Sequence, residues 1–481
     1  MATKRKASEF LVEGEQDPRS FSRIRAQSPI VSEQNTPSNS PHRFLAYSAP
    51  SQKPIHPPTF QQPTQLLTFS YTPERQLEFT DSAMRYFVEP PRGANLGNRY
   101  ENWVRRPDER GRVDGLLRAW SKAKAKIANS GDGTKGQPSD IGVIAWRGVM
   151  TKILTAAYEE RDGWELNVMC MNGTMYFEEH LSDAKLKEKN AMEPRHRRQT
   201  YYGYAFESYC TSSTPHKQED CSADTQGWSG DVNTNVQWCS VVKTKLGDTR
   251  IIIGGEVDCV REKYTGRPDT FVELKTSLSI RGPHDEAKFE KKLLKFYFQS
   301  FLLGVPEIIV GFRTPSGYIT TTQTFKTLEL PRLVRGKPGA WDPVACLDWG
   351  RRFLSFLKDT MASSAARDVW RVKFTPREGV SVALLDEAGV ADVEGGEARV
   401  GFLPRWYWDK EIGSEDAIDD EDGRGTIRAR TTVVRMGGQM IIASVLVRMG
   451  NGLTRARACH CSFNGEYVLA SAAKSGYLVI I

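Results

Sequence analysis

Two acids interrupt the apolar run IIIGGEVDCV at 251–260, and FVELKTS at 271–277 adds Glu273 and Lys275. Side chains alternate across a strand, so Glu256 and Asp258 share one face, as do Glu273 and Lys275. The intervening REKYTGRPDT carries Gly266 and Pro268, turn residues that would let the two runs pair most simply as an antiparallel hairpin. Three carboxylates brought that close raise one another's pKa unless a cation neutralises them. An all-oxygen set of high charge selects hard ions, Mg²⁺ or Mn²⁺, which suit phosphate chemistry. One or two such ions lower the pKa of a bound water and stabilise charge on the attacked phosphate. Lys275 is placed to hold a phosphate oxygen as that charge builds. A polar, solvent-facing hairpin would also carry such residues. Here, however, the strands are otherwise apolar, and Gly254-Gly255 puts bare backbone beside Glu256.

A helix is expected after Pro283, from about His284 to Leu303, stopping at Gly304 and Pro306. At about 100° per residue, Lys288, Lys292, Lys295 and Gln299 share one stripe, and Phe289, Leu293, Phe296 and Ser300 share another that faces the core. The lysines read either as a solvated face or as a track for a phosphate backbone. Gln299, near the buried end, can donate to a phosphate while accepting from a water.

Holding these groups in place takes a sizeable core. The 481 residues, 39% hydrophobic and 26% charged, suffice for one large or two ordinary domains. A formal charge of +7, from 66 basic and 59 acidic residues, permits a polyanionic partner without requiring one. Eight cysteines without a CxxC pair and an N-terminus lacking an apolar signal core indicate a reducing compartment. Cys459, His460 and Cys461 lack the spaced pairs of a structural zinc site. The sequence holds no run of about 20 apolar residues, the length a membrane span needs, so none is expected.

Residues 1–64, rich in serine and proline, read as a disordered tail, with Lys4-Arg5-Lys6 a candidate nuclear import element. Order is expected over 65–408. GRVDGLLRAWSKAKAKIANS reads as a helix up to the breakers GDGTKGQPSD, and IGVIAWRGVMTKILTAAYEE as a strand running into a helix. GWELNVMCMNGTMYFEEH reads as a hairpin around Asn172-Gly173. YYGYAFESYC, VQWCSVVKTKL, RIIIGGEVDCV, TFVELKTS and PEIIVGFRTPSGYIT are strand candidates. Locally paired strands with helices between groups argue for an α+β fold. Residues 409–481 read as an acidic linker and an extension of unknown role that ends in two short strands.

Asp258, a gap, then Glu273-x-Lys275 is the pattern of the PD-(D/E)xK nucleases. The succession WRGVMTK (146–152), YYGYAFE (201–207), GGEVDCV (254–260), FVELKTS (271–277), FYFQSFLLG (296–304) and VGFRTPSG (310–317) resembles the DXO family of decapping nucleases. The likeness is greatest to the fungal nuclear branch that partners an XRN-type 5′-3′ exoribonuclease. It extends over roughly residues 66–408.

The resemblance implies two mixed β-sheets flanked by helices. It implies that Glu207, Asp258 and Glu273 ligate Mg²⁺ or Mn²⁺ together with the Leu274 carbonyl, with Glu256 acting directly or through water. Lys275 and Gln299 would then contact the reacting phosphate, while Arg147, flanked by Trp146 and Gly148, holds the RNA 5′ end and Cys239 lines the substrate site. The implied reaction is hydrolysis of NAD caps, incomplete guanosine caps or 5′-triphosphates in the nucleus, leaving a monophosphate end for the partner exonuclease. The alternatives are a PD-(D/E)xK DNA nuclease and a non-catalytic partner of an exoribonuclease.

Overall fold

The computed structural model describes residues 43–47, 57–129, 141–215 and 227–413, and backbone strands between 428 and 480. Lys4-Arg5-Lys6 and most of the expected tail, the breakers 131–140, the acidic stretch beyond Gly413 and the Cys459–Cys461 cluster lie outside the described residues. The chain divides into two units after Trp408.

In chain order the first unit opens with β1 (Arg43–Ala46), β2 (Phe60–Tyr71), β3 (Leu77–Glu78), β4 (Tyr86–Phe87) and α1 (Asp114–Asn129). Strand β5 (Ile141–Trp146) runs directly into α2 (Arg147–Thr155), and β6 (Trp164–Met171) turns back into β7 (Thr174–Glu179). Asn172 and Gly173 have φ of +52° and +76°, the backbone a type I′ hairpin demands. Next come α3 (Asp183–Asn190), α4 (Pro194–Cys210), β8 (Thr211–Ser212), β9 (Gln237–Leu246), β10 (Thr249–Glu256), β11 (Cys259–Val260) and β12 (Phe271–Leu278). Helix α5 (Pro283–Phe301) leads to β13 (Glu307–Arg313), β14 (Ile319–Lys326), α6 (Leu330–Val334) and α7 (Pro343–Thr360). The unit closes with β15 (Trp370–Thr375), β16 (Gly379–Leu384), α8 (Glu387–Glu394), β17 (Arg399–Val400) and β18 (Leu403–Pro404).

The fold is the expected α+β. The largest sheet has ten strands in the order β1-β16-β15-β6-β7-β5-β10-β9-β2-β3, a second has six in the order β14-β13-β12-β11-β4-β8, and β17 pairs with β18 alone. The two large sheets are mixed: β5 lies parallel to β10 while β9 is antiparallel to it, and β12 lies parallel to β13 but antiparallel to β11. Alternation along β10 sends Ile251 and Ile253 into a core shared with Val149 and Met150 of α2, Leu293 and Phe298 of α5 and Ile308 of β13. Ile252 points the other way, against Leu116 of α1 and Val241 of β9. Truncating a fully enclosed side chain such as Leu293 to alanine costs about 2–5 kcal/mol, so α5 is pinned to the sheets and Gln299 with it.

Four expectations are corrected. YYGYAFESYC is not a strand but the C-terminal half of α4. Its buried residues, Tyr201, Tyr202, Ala205, Phe206, Tyr209 and Cys210, recur at helical spacing, and packing of that face overrides the β-propensity of the aromatics. The runs around Glu256 and Glu273 do not form one hairpin, because β10 belongs to the ten-stranded sheet and only the short β11 pairs with β12. Within 1–64, Arg43–Ala46 pairs with β16 and β2 already begins at Phe60. On α5, Phe296 is half-buried, and Leu294, Tyr297 and Phe298 complete the core face instead.

The second unit contains a three-stranded antiparallel sheet, β19 (Arg428–Met436), β20 (Gln439–Met449) and β21 (Gly452–Ala456). Two hairpins follow, β22–β23 (Ser462–Phe463, Glu466–Tyr467) and β24–β25 (Leu469–Ala473, Gly476–Ile480), where only two strands are expected from the sequence. Among the described residues no helix is long and apolar enough to cross a membrane.

Candidate active site

The site sits where β10 stops and β11 starts. β10 ends at Glu256 in one sheet, β11 begins at Cys259 in the other, and Val257 and Asp258 bridge them. β11 pairs with β12 only at Cys259↔Val272 and Val260↔Phe271. Beyond that short ladder, Asp258 Oδ2 accepts the Leu274 N–H at 2.6 Å in place of a strand. The N–H and C=O of one strand residue point to the same edge, so the Leu274 carbonyl faces the side on which Asp258 stands.

Glu273 is fully buried and accepts two cationic donors, Arg147 Nη1 at 2.8 Å on Oε2 and Lys275 Nζ at 2.5 Å on Oε1. Burial alone would raise its pKa, but Arg147 and then Lys275 bring it down to about 2. Burial likewise works against the Lys275 ammonium, yet Glu273 and Asp258 hold its pKa above the usual value. The other acids go the opposite way. Burial, then the Glu273 charge, pushes Asp258 up to about 7. Burial, then Asp258 and Glu256, holds Glu207 well above the carboxylate range. Burial also raises Glu256, tempered by Arg147 and by its hydrogen bond from Gln237.

Among the described residues no three His, Cys, Asp or Glu side chains are gathered into a finished metal cage. Instead, Glu273 is neutralised by Arg147 and Lys275, while burial and the neighbouring carboxylates push Asp258 up to about 7 and hold Glu207 well above the carboxylate range. Oxygen donors that favour protons because their charges are crowded and dehydrated also favour a hard divalent cation, which relieves the same penalty. The donor chemistry of these carboxylates therefore suits such an ion.

Arg147 is the first residue of α2, delivered by β5, which lies parallel to β10 with Trp146 opposite Gly254. A Cβ on Gly254 would stand 2.9 Å from the Trp146 ring, and one on Gly255 would stand 2.9 Å from both Arg147 Cβ and Leu303 Cδ1. The paired glycines thus admit the Trp146-Arg147 segment, and both also line the cavity above the acids. The Trp146 indole N–H in turn donates to the Arg112 carbonyl at 2.9 Å.

Above the acids opens a cavity of about 770 Å³, within the range of ligand pockets. Trp146, Arg147, Gly148, Cys239, Glu256 and Gln299 all line it. Glu207, Asp258, Glu273 and Lys275 lie beside it, joined to it by the Arg147–Glu273 pair and by the mutual charge effects of the acids. Burial raises the Cys239 thiol, leaving it a neutral S–H in the wall. Tyr71, Arg75, Arg112 and Gln237 also line the cavity and are absent from the expected set. Alternation could have found Gln237, two residues before Cys239 on the same strand. Arg75 carries no such signal, since it occupies a turn with φ of +63°. On α5, Lys295 is paired with Glu159 at 3.3 Å, and Lys292 reaches Ser277 Oγ at 3.5 Å, two residues beyond Lys275 on β12.

A two-sheet α+β core with Asp258 and Glu273-x-Lys275 at a strand junction defines a nuclease of the PD-(D/E)XK class. Within that class the chain belongs to the family described as RAI1-like PD-(D/E)XK nuclease, whose model matches residues 61–408. It is 37% identical to decapping nuclease RAI1 of Mycosarcoma maydis over 447 residues, covering 73% of this chain and 88% of that protein. It is 33% identical to the human decapping and exoribonuclease protein over 360 residues, covering 73% of this chain and 85% of that protein. The crystal structure of S. pombe Rai1 in complex with 3′-FADP superposes with a TM-score of 0.58 at 26% identity, covering 72% of this chain and 100% of that one. As a member of a nuclease family, the protein is a hydrolase.

Proposed function

We propose that this protein hydrolyses the 5′ end of RNA, removing NAD caps, incomplete guanosine caps or pyrophosphate from 5′-triphosphates, and leaves a 5′-monophosphate. The observation that carries the reading is Glu273 held between Arg147 and Lys275, beside further buried acids, at the edge of a roomy cavity. The names of the relatives, decapping nucleases in fungi and vertebrates, support it.

Glu207, Asp258, Glu273 and the Leu274 carbonyl would hold a divalent ion, which would supply an activated water and neutralise charge on the attacked phosphate. The remaining work belongs to side chains. Lys275 offers an ammonium to the phosphate oxygen on which charge builds, and burial strengthens that interaction. Arg147, fixed through Glu273, orients the 5′-terminal phosphate from the cavity side. Gln299 donates its amide to the same phosphate, and Glu256 accepts a proton from the attacking water. Trp146, Gly148 and Cys239 shape the space for the terminal nucleotide.

The monophosphate product is the substrate of a 5′-3′ exoribonuclease, and the proposal includes an XRN-type partner in the nucleus, supported by the family resemblance and by Lys4-Arg5-Lys6. Chromatographic product analysis with Mn²⁺, on RNAs differing only at the 5′ end and on duplex DNA, tests the reading. Release of 5′-monophosphate RNA is expected. Cleavage of duplex DNA alone would favour a DNA nuclease, and no cleavage at all a binding partner.

A further inference from the structure

We propose that Gln237 is a positioning residue that couples the cavity to Glu256, so that engagement of Arg75 by the RNA 5′ end sets the placement of this acid. The inference rests on the functional reading above and extends it to a residue that touches no reacting atom.

Three adjacent strands build the relay. β9 lies between β10 and β2, with Cys239 opposite Glu256 and Gln237 opposite Tyr71. Tyr71, Gln237, Cys239 and Glu256 therefore share the face of the sheet that lines the cavity. Arg75 enters from the turn after β2, which is closed by Arg75 N–H to the Thr72 carbonyl and Thr72 N–H to the Gln76 carbonyl, both at 2.9 Å. Its guanidinium lies 3.7 Å from the centre of the Tyr71 ring. It donates to Gln237 Oε1 at 2.5 Å and to the Asn235 carbonyl at 2.9 Å. Gln237 Nε2 then donates to Glu256 Oε2 at 2.7 Å.

An amide accepts at oxygen and donates at nitrogen. With a cation at one end and a carboxylate at the other, Gln237 has one satisfied orientation, and Glu256 is held by it. A phosphate arriving in the cavity competes for the Arg75 guanidinium. The loss or tilt of the Arg75 bond passes through the rigid amide to Glu256, so cavity occupancy and acid placement are linked without direct contact.

The test is steady-state hydrolysis of NAD-capped RNA with Mn²⁺ by the full chain, comparing wild type, Gln237→Leu, Gln237→Glu, Arg75→Ala and the Arg75→Ala/Gln237→Leu pair. Binding of the same RNA in EDTA is followed by fluorescence anisotropy. Loss of a residue that orients an acid of a metal site costs about 10–100-fold in activity. Gln237→Leu is expected to lose kcat by about that factor while KM and binding in EDTA hold. Gln237→Glu can still accept from Arg75 but cannot donate to Glu256, and is expected to lose kcat equally, which keeps the test open if the leucine variant misfolds. Arg75→Ala is expected to raise KM and lower kcat, and to lower kcat no further in the Gln237→Leu background. Unchanged kcat in both Gln237 variants, RNA binding lost in EDTA, or kcat losses that multiply in the double variant would each overturn the relay. A wild-type protein inactive on every RNA 5′ end would overturn the functional reading and the relay together.

Discussion

Arg147 and Glu273 meet 2.8 Å apart at the junction of the two sheets, one from the first turn of α2 and the other from β12. Their side chains are 13% and 1% exposed, so the pair forms only when both sheets have docked. With Lys275 it holds the Glu273 carboxyl down at about 2, while burial and mutual repulsion push Asp258 and Glu207 the other way.

Removing one member of a buried ion pair costs about 3–5 kcal/mol because the other charge is stranded. Arg147→Ala is expected near the lower end, since Lys275 still faces Glu273. Urea unfolding followed by circular dichroism measures it, and adding Glu273→Gln should restore part of the loss. An unchanged midpoint in Arg147→Ala would mean the pair adds nothing to the docking of the sheets.

The acids predict how metal binding depends on pH. Asp258 has a folded pKa of about 7 against an ordinary 3.8. Without metal the folded state therefore holds more protons than the unfolded chain between those values, and this group's contribution to stability falls as pH rises through that window. Glu273 is the reverse: depressed to about 2, its contribution is full above its ordinary 4.5 and fades only as pH falls toward 2. A divalent cation must displace the Asp258 proton. Titration calorimetry should find Mn²⁺ binding tighter at pH 8 than at pH 6, with more proton release at pH 6. Affinity independent of pH across that range would remove Asp258 from the ligand set.

Lys292 reaches Ser277, which shares a face of β12 with Lys275 and Glu273, so the lysine stripe of α5 leads away from the acids along that face. Lys292→Glu is expected to weaken binding of single-stranded RNA and to reduce the slope of log K against log salt by about one. A salt slope equal to that of wild type would make this face merely solvated.

Gly255→Ala introduces a Cβ 2.9 Å from Arg147 Cβ and Leu303 Cδ1. Overpacking of this kind costs about 1–3 kcal/mol and moves the less anchored neighbour. The expected result is a modest drop in thermal midpoint with a disproportionate loss of hydrolysis. A fully active variant would show that the position of Arg147 is not critical.

Local patterns made much of the fold legible. The Asn172-Gly173 hairpin, the strand-to-helix passage through Trp146-Arg147 and the helix after Pro283 follow from turn chemistry and periodicity. Glu256, Asp258, Glu273 and Lys275 could be singled out because acids in apolar strands are costly. Glu207 could not, because its aromatic neighbours suggest a strand while its position on α4 depends on a packed face that periodicity shows only once helix is assumed. The division of 249–260 between two sheets was hidden too, since a two-residue gap leaves no turn signal. Arg75 and the Arg147–Glu273 pair are long-range contacts, and spacing along the chain says nothing about them.

The most direct measurement of the central claim is hydrolysis of NAD-capped and triphosphorylated RNA by Asp258→Ala, with circular dichroism and thermal unfolding to show that the fold is kept. If the acids at the strand junction do the chemistry, release of 5′-monophosphate RNA falls to background at every Mn²⁺ concentration while the variant remains folded. Mn²⁺-dependent hydrolysis near the wild-type rate in a folded Asp258→Ala protein would contradict the assignment and place the reaction elsewhere.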